Sequence, residues 1–130
     1  MAAFLEGDMI RSVLIVDDSR LARLMVAGLI SERWPTARVR EVENASQALD
    51  AVIQEAPDLV ILDHNMPGEA GLDVVGKLRE SAPEASIALV TANIQNTMRE
   101  RASQAGCHFV GKPVTAEKID KLLADIGSGQ

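Results

Sequence analysis

Apolar and polar residues alternate along this chain in blocks, and the period of each block predicts its element. "SVLIV" (12–16) is a β-branched run ending at Asp17-Asp18, which predicts a buried strand. Ser19 offers a side-chain oxygen to a helix N-terminus, and Leu21, Leu24, Met25 and Leu29 follow at helical spacing. Ala22, Val26 and Ile30 widen that apolar face, and Trp34-Pro35 ends the helix. "ARVREV" (37–42) alternates, as a more exposed strand does. Asn44 with Gln47 resembles a capping box. Ala48, Leu49, Val52, Ile53 and Ala56 then predict an amphipathic helix closed by Pro57.

"LVIL" (59–62) has no polar break, so it predicts a strand covered on both faces. A turn, "NMPGEAG", leads to a helix marked by Leu72, Val75 and Leu78. "SIALV" (86–90) is a fourth strand, stopping at Thr91. Ile94, Met98, Ala102 and Ala105 give a helix with a weak apolar face, with Gly106 as its C′ residue. "HFVG" (108–111) is a fifth strand. After Lys112-Pro113, a Thr115 cap opens a last helix with Ile119, Leu122, Leu123 and Ile126 inward. Five alternations of strand and helix predict a doubly wound α/β domain with a parallel sheet. Its core runs from about 12 to 126, with an extension at 1–11 and a tail at 127–130.

Composition narrows the function. The chain has 130 residues, 47% of them hydrophobic, enough for a real core. Lys+Arg 13 against Asp+Glu 19 leaves a net charge of −6, and aromatics are only 2%. That argues against a nucleic-acid surface, which needs basic stripes or stacking platforms. Cys107 is the only cysteine, so neither an intrachain disulfide nor a cysteine zinc cluster is expected. It reads as a small buried thiol. The N-terminal stretch does not read as a signal peptide, and no apolar run is long enough to span a membrane.

In sheets of this kind ligands bind beyond the carboxyl ends of the strands. The first strand ends in Asp17-Asp18, the third in Asp63, the fourth in Thr91 and the fifth near Lys112. Three gathered carboxylates raise one another's pKa or hold a cation; oxygen-only ligands suit Mg²⁺, Mn²⁺ or Ca²⁺, and a sparse, partly open set that keeps waters suits Mg²⁺ best. With an ammonium and a hydroxyl added, the space fits a phosphoryl group.

"VLIVDDS", "DLVILDHNMPG", "ALVTA" and "FVGKP" together resemble the receiver domain of two-component response regulators, over about residues 12–126. The resemblance implies a flavodoxin-like five-stranded sheet in the order 2-1-3-4-5 with five helices. It implies that Asp63 accepts a phosphoryl group from a phosphohistidine on a sensor histidine kinase or histidine phosphotransfer protein. Mg²⁺ would then be bound by Asp18, Asp63 and the backbone carbonyl of Asn65, with Asp17 acting through water. Thr91 and Lys112 would contact phosphoryl oxygens, and Ala92 would leave room for the group. Thr91 and Phe109, the latter standing where the family often has Tyr, would switch the face formed by helix four, strand five and helix five. The Lys112–Pro113 bond would be cis. Asn65 and Asn93 occupy positions that tune hydrolysis in the family.

His64 is expected to be a solvated loop residue and His108 a strand-edge residue. The resemblance also implies a cytoplasmic protein with a further protein target, without membrane or nucleic-acid binding by this chain. One alternative is a pseudo-receiver that binds partners without phosphorylation. Another is a flavodoxin-like small-molecule binder, which would need a phosphate-cradling loop that the acidic "DDSRLA" does not supply. An aspartyl phosphohydrolase would carry Asp-x-Asp, but the residue two past Asp63 is Asn65.

Overall fold

The computed structural model describes residues 10–127. Strands β1 (Ser12–Val16), β2 (Arg38–Val42), β3 (Leu59–Asp63), β4 (Ser86–Thr91) and β5 (His108–Gly111) alternate with helices. These are α1 (Arg20–Arg33), α2 (Ala45–Gln54), α3 (Gly71–Ser81), α4 (Asn96–Gln104) and α5 (Ala116–Gly127). The strands form one parallel sheet in the order β2-β1-β3-β4-β5. Strands are therefore added outward in opposite directions on either side of the β1–β3 pair, the switch point where such sheets open a crevice.

Strand residues alternate between two cores. Leu14, Val16, Val60, Leu62, Ile87 and Leu89 pack with α2, α3 and α4. Val13, Ile15, Leu59, Ile61, Val90 and Val110 pack with α1 and α5. Every residue of β1 and β3 is buried, whereas β2 is exposed or half-buried throughout, as an edge strand is.

The caps match the sequence signals. Ser19 Oγ accepts the Ala22 N–H at 3.2 Å, and Asn44 Oδ1 accepts the Gln47 N–H at 2.8 Å. Thr115 Oγ1 accepts the Lys118 N–H at 3.2 Å. Gly106 has φ of 74°. The Cys107 N–H reaches Ala102 O and the Gly106 N–H reaches Ser103 O, which closes α4 with a Schellman motif.

Three packing expectations are corrected. Leu21, Leu24 and Met25 are exposed, at 67%, 52% and 58%. The inward stripe of α1 is instead Val26 and Ile30, with Ala27 and Leu29 beside them. An arc of apolar residues that wide exceeds what one sheet face covers, so part of it meets solvent. Ile53 is 69% exposed on α2, and that helix ends at Gln54, before Ala56. Ile94 lies before α4 and is 58% exposed, because the helix starts only at Asn96. Gly127 belongs to α5 rather than to a tail, and residues 1–9 and 128–130 lie outside the described residues. No helix among the described residues is long and apolar enough to cross a membrane.

Candidate functional site at the carboxyl edge of the sheet

Register alone brings the polar residues together. Val16 pairs with Leu62, so Asp17 and Asp63 are the next residues along neighbouring strands. Asp63 pairs with Val90, one residue before Thr91, and Thr91 pairs with Gly111, one residue before Lys112. The Lys112 N–H donates to Thr91 O at 2.8 Å, which continues that ladder past the end of β5.

Asp63 is 3% exposed. Its Oδ1 accepts the Asn65 N–H at 3.1 Å and faces Lys112 Nζ at 3.1 Å. Carboxylate oxygens of Asp17, Asp18 and Asp63 lie within 4.8 Å of one another. Asp17 is buried and Asp18 exposed. Burial, then Asp63 and Asp18, raises the Asp17 carboxyl above its ordinary pKa, against the Ser19 N–H and Lys112, which lower it. The Ser19 N–H reaches Asp17 Oδ1 at 2.8 Å. A carboxyl that resists ionisation beside two others is a place where a cation is favourable. These hard oxygen donors fit a divalent ion with retained waters.

Thr91 is fully buried, and its Oγ1 accepts the Asn93 N–H at 3.1 Å. That leaves its O–H free to donate. Asn65 and Ala92 are exposed at the loop tips. The Lys112–Pro113 bond is cis, as expected. His64 is half-buried rather than solvated: its Nδ1 faces the Leu72 N–H at 3.4 Å, and its own N–H donates to Val90 O. Phe109 is half-buried, with the Arg99 guanidinium 4.4 Å from its ring centroid. Cys107 is buried as expected, and burial pushes its thiol pKa up.

Several supports went unnoticed in the sequence. Arg23 donates through Nη1 to Asp17 O at 2.7 Å and through Nε to Glu41 at 3.2 Å, fastening the acidic loop. Its place one turn into the helix after two acids was a usable signal. Lys118 Nζ donates to Gly111 O at 2.7 Å and Pro113 O at 3.0 Å, holding the loop that carries Lys112. A cation in the first turn of a helix opposes the helix dipole, which marks it as employed elsewhere. Gly71 starts α3 against β3: a Cβ there would lie 2.7 Å from Asp63 O. Only glycine permits that approach without displacing the acid's backbone.

An apolar cavity of about 380 Å³ adjoins the acids, lined by Ala22, Met25 and Val26 of α1 and by Pro113 and Val114. Asp17, Asp63 and Lys112 also line it, so the site opens toward α1.

Known proteins resemble this chain in sequence and in fold. The chain is 31% identical to the chemotaxis protein CheY of Bacillus subtilis, over 85% of this chain and 92% of that one. It is 32% identical to the transcriptional activator protein ExaE of Pseudomonas putida, over 86% of this chain and 55% of the relative. The chain thus spans about half the length of ExaE, and likewise 46% of the sensory transduction protein LytT of Bacillus subtilis. Among solved structures, a LuxR-family two-component response regulator from Aurantimonas superposes with a TM-score of 0.82 at 26% identity, covering 93% of this chain and 87% of that one. Chemotaxis protein CheY4 of Vibrio cholerae shares the fold, with a TM-score of 0.80 at 24% identity over 90% and 98% of the two chains. Residues 13–124 match the family model of the response regulator receiver domain, and the chain belongs to that family.

Proposed function

We propose that the chain is a phosphoacceptor switch in which Asp63 takes a phosphoryl group from a phosphohistidine on a sensor histidine kinase or histidine phosphotransfer protein. One observation carries this reading. Asp63 is a buried carboxylate whose Oδ1 is held by a backbone N–H and an ammonium, with two further acids beside it. Holding one oxygen leaves Oδ2 as the nucleophile. Oδ2 forms the new O–P bond while the P–N bond of the phosphohistidine breaks. The imidazole nitrogen leaves with that electron pair. Lys112 offsets the charge on the transferred group, and Thr91 donates its O–H to a phosphoryl oxygen. Mg²⁺, held by Asp18, Asp63 and the Asn65 carbonyl with Asp17 through water, would supply charge neutralisation at the same oxygens. Later attack of water on phosphorus returns Asp63 and inorganic phosphate. Thr91 and Phe109 would carry the change to the face of α4, β5 and α5, in a cytoplasmic protein.

The test is an intact mass after incubation with Mg²⁺ and a small phosphodonor. A phosphate-sized gain that disappears in Asp63→Asn is expected. No gain with both reagents in excess would sink the reading and leave the phosphorylation-independent binding module.

A further inference from the structure

Lys118 stands in the first turn of α5 and is half-buried. Its side chain folds back over the loop that carries Lys112. Nζ donates to Gly111 O at 2.7 Å and to Pro113 O at 3.0 Å, the carbonyls on either side of Lys112. The Lys118 backbone is fixed in turn, because its N–H donates to Thr115 Oγ1 at 3.2 Å. Gly111 is also packed by Ile94: a Cβ there would lie 3.0 Å from Ile94 Cγ2. The Lys112 N–H donates to Thr91 O at 2.8 Å. The backbone on both sides of Lys112 is thus fastened, and one ammonium supplies two of the bonds.

Lys112 needs such an anchor. Its stem is flexible and 34% exposed, yet its Nζ stands 3.1 Å from Asp63 Oδ1. A stem of that kind is aimed by where its backbone sits, and a misplacement of about 1 Å at a reacting group costs up to about a hundred-fold in rate. Nothing in α5 itself favours a cation at Lys118, since the first turn carries the positive end of the helix dipole. The two carbonyls do, because a charged donor makes the stronger hydrogen bonds.

We infer that Lys118 is a positioning residue: it clamps Gly111 O and Pro113 O and so holds Lys112 Nζ beside Asp63. The use of that clamp rests on the phosphoacceptor reading, so two measurements keep the two apart. The first needs no phosphorylation. On the full chain, limited acetylation by a succinimidyl ester is followed at Lys112 by peptide mass. Lys118→Met should speed acetylation of Lys112 about two- to five-fold, the scale of a part-exposed ion pair that is loosened. Lys118→Arg keeps the charge and the donors and should stay near the parent. Lys121→Met, one turn further along α5, should match the parent. Lys118→Gln is the second removal, should Lys118→Met lose its cooperative melting.

The second measurement is the rate of phosphate-sized mass gain from a small phosphodonor. Lys118→Met should slow it about ten-fold, less than loss of the Lys112 charge itself, and Lys118→Arg should recover most of the rate. In a Lys112→Met background, Lys118→Met should change nothing further, because the one residue acts through the other. Unchanged acetylation of Lys112 in both removals would overturn the inference, and so would an additive loss in the double variant. If the parent takes no phosphate while Lys118→Met still unmasks Lys112, the phosphoacceptor reading falls and the clamp stands.

Discussion

Strand β3 has an acid at each end, and the two acids do different work. Asp58 stands just before the strand, and its Oδ2 accepts the N–H groups of Arg11 at 2.7 Å and Ser12 at 3.1 Å. Asp63 ends the strand with one backbone donor, one ammonium and two carboxylate neighbours. Asp58 is a clasp: it satisfies donors at the start of β1 and faces no gathered acids. Asp63 is the reagent of the proposed switch: its surroundings hold Oδ1 through a backbone N–H and an ammonium. The difference teaches that an acid beside a buried strand is defined by what the neighbouring strands bring to it. At the amino edge they bring backbone N–H groups. At the carboxyl edge they bring Asp17, Asp18 and Lys112.

The sharpest way to break this comparison is to exchange the charges one at a time. Asp63→Asn should abolish the phosphate-sized mass gain, while Asp58→Asn should keep it. Loss of the gain in both would mean that the two acids are not distinct. Next in size, Lys112→Met should slow acceptance from a small phosphodonor roughly hundred-fold, the scale seen when a charge-stabilising donor is removed. A rate within two-fold of the parent would remove Lys112 from the chemistry.

Asp58→Ala tests the other half. It strands two backbone donors, so stability should fall by about 1–3 kcal/mol in urea unfolding, with phosphorylation retained. A smaller effect follows from Asp17. Its pKa is raised, so its ionised form costs stability above the ordinary carboxylate range, and protonation relieves that cost. Asp17→Asn should therefore melt higher than the parent without metal, and should show less of the rise expected of the parent in millimolar Mg²⁺. An equal rise in both proteins would exclude Asp17 from the metal site.

The smallest effect lies on β5. Burial lowers the pKa of His108, against Asp125, which raises it, and together with Arg79, which lowers it further. A depressed histidine contributes stability above its ordinary pKa and loses it as pH falls through the lowered folded value. As pH falls from neutral into the acid range the parent should therefore lose more stability than His108→Gln. Parallel melting curves would contradict this.

Much of the molecule was legible because its signals are local. Apolar runs mark strands, and Ser19, Asn44, Thr115 and Gly106 mark helix ends through bonds to residues two to four positions away. The acids were legible because parallel strands deliver their final residues to one edge. The partners of the supports were not, because each support joins separate segments. Arg23 reaches Asp17 and Glu41, Asp58 reaches back to Arg11, and Arg79 Nη2 donates to Gly106 O at 2.5 Å. The inward stripe of α1 was misread for the same reason, since which side of a broadly apolar helix meets the sheet depends on packing.

The sequence by itself determined the alternation of elements and the residue types at each strand end. Both depend on periodicity and on interactions within a turn or two. Only the tertiary structure decided the rest. Strand register set Asp17 beside Asp63 and Lys112 Nζ 3.1 Å from Asp63 Oδ1, and burial left Asp18 outside while enclosing Asp17. Such distances come from packing separate strands and helices against one another, which no stretch of the chain encodes alone.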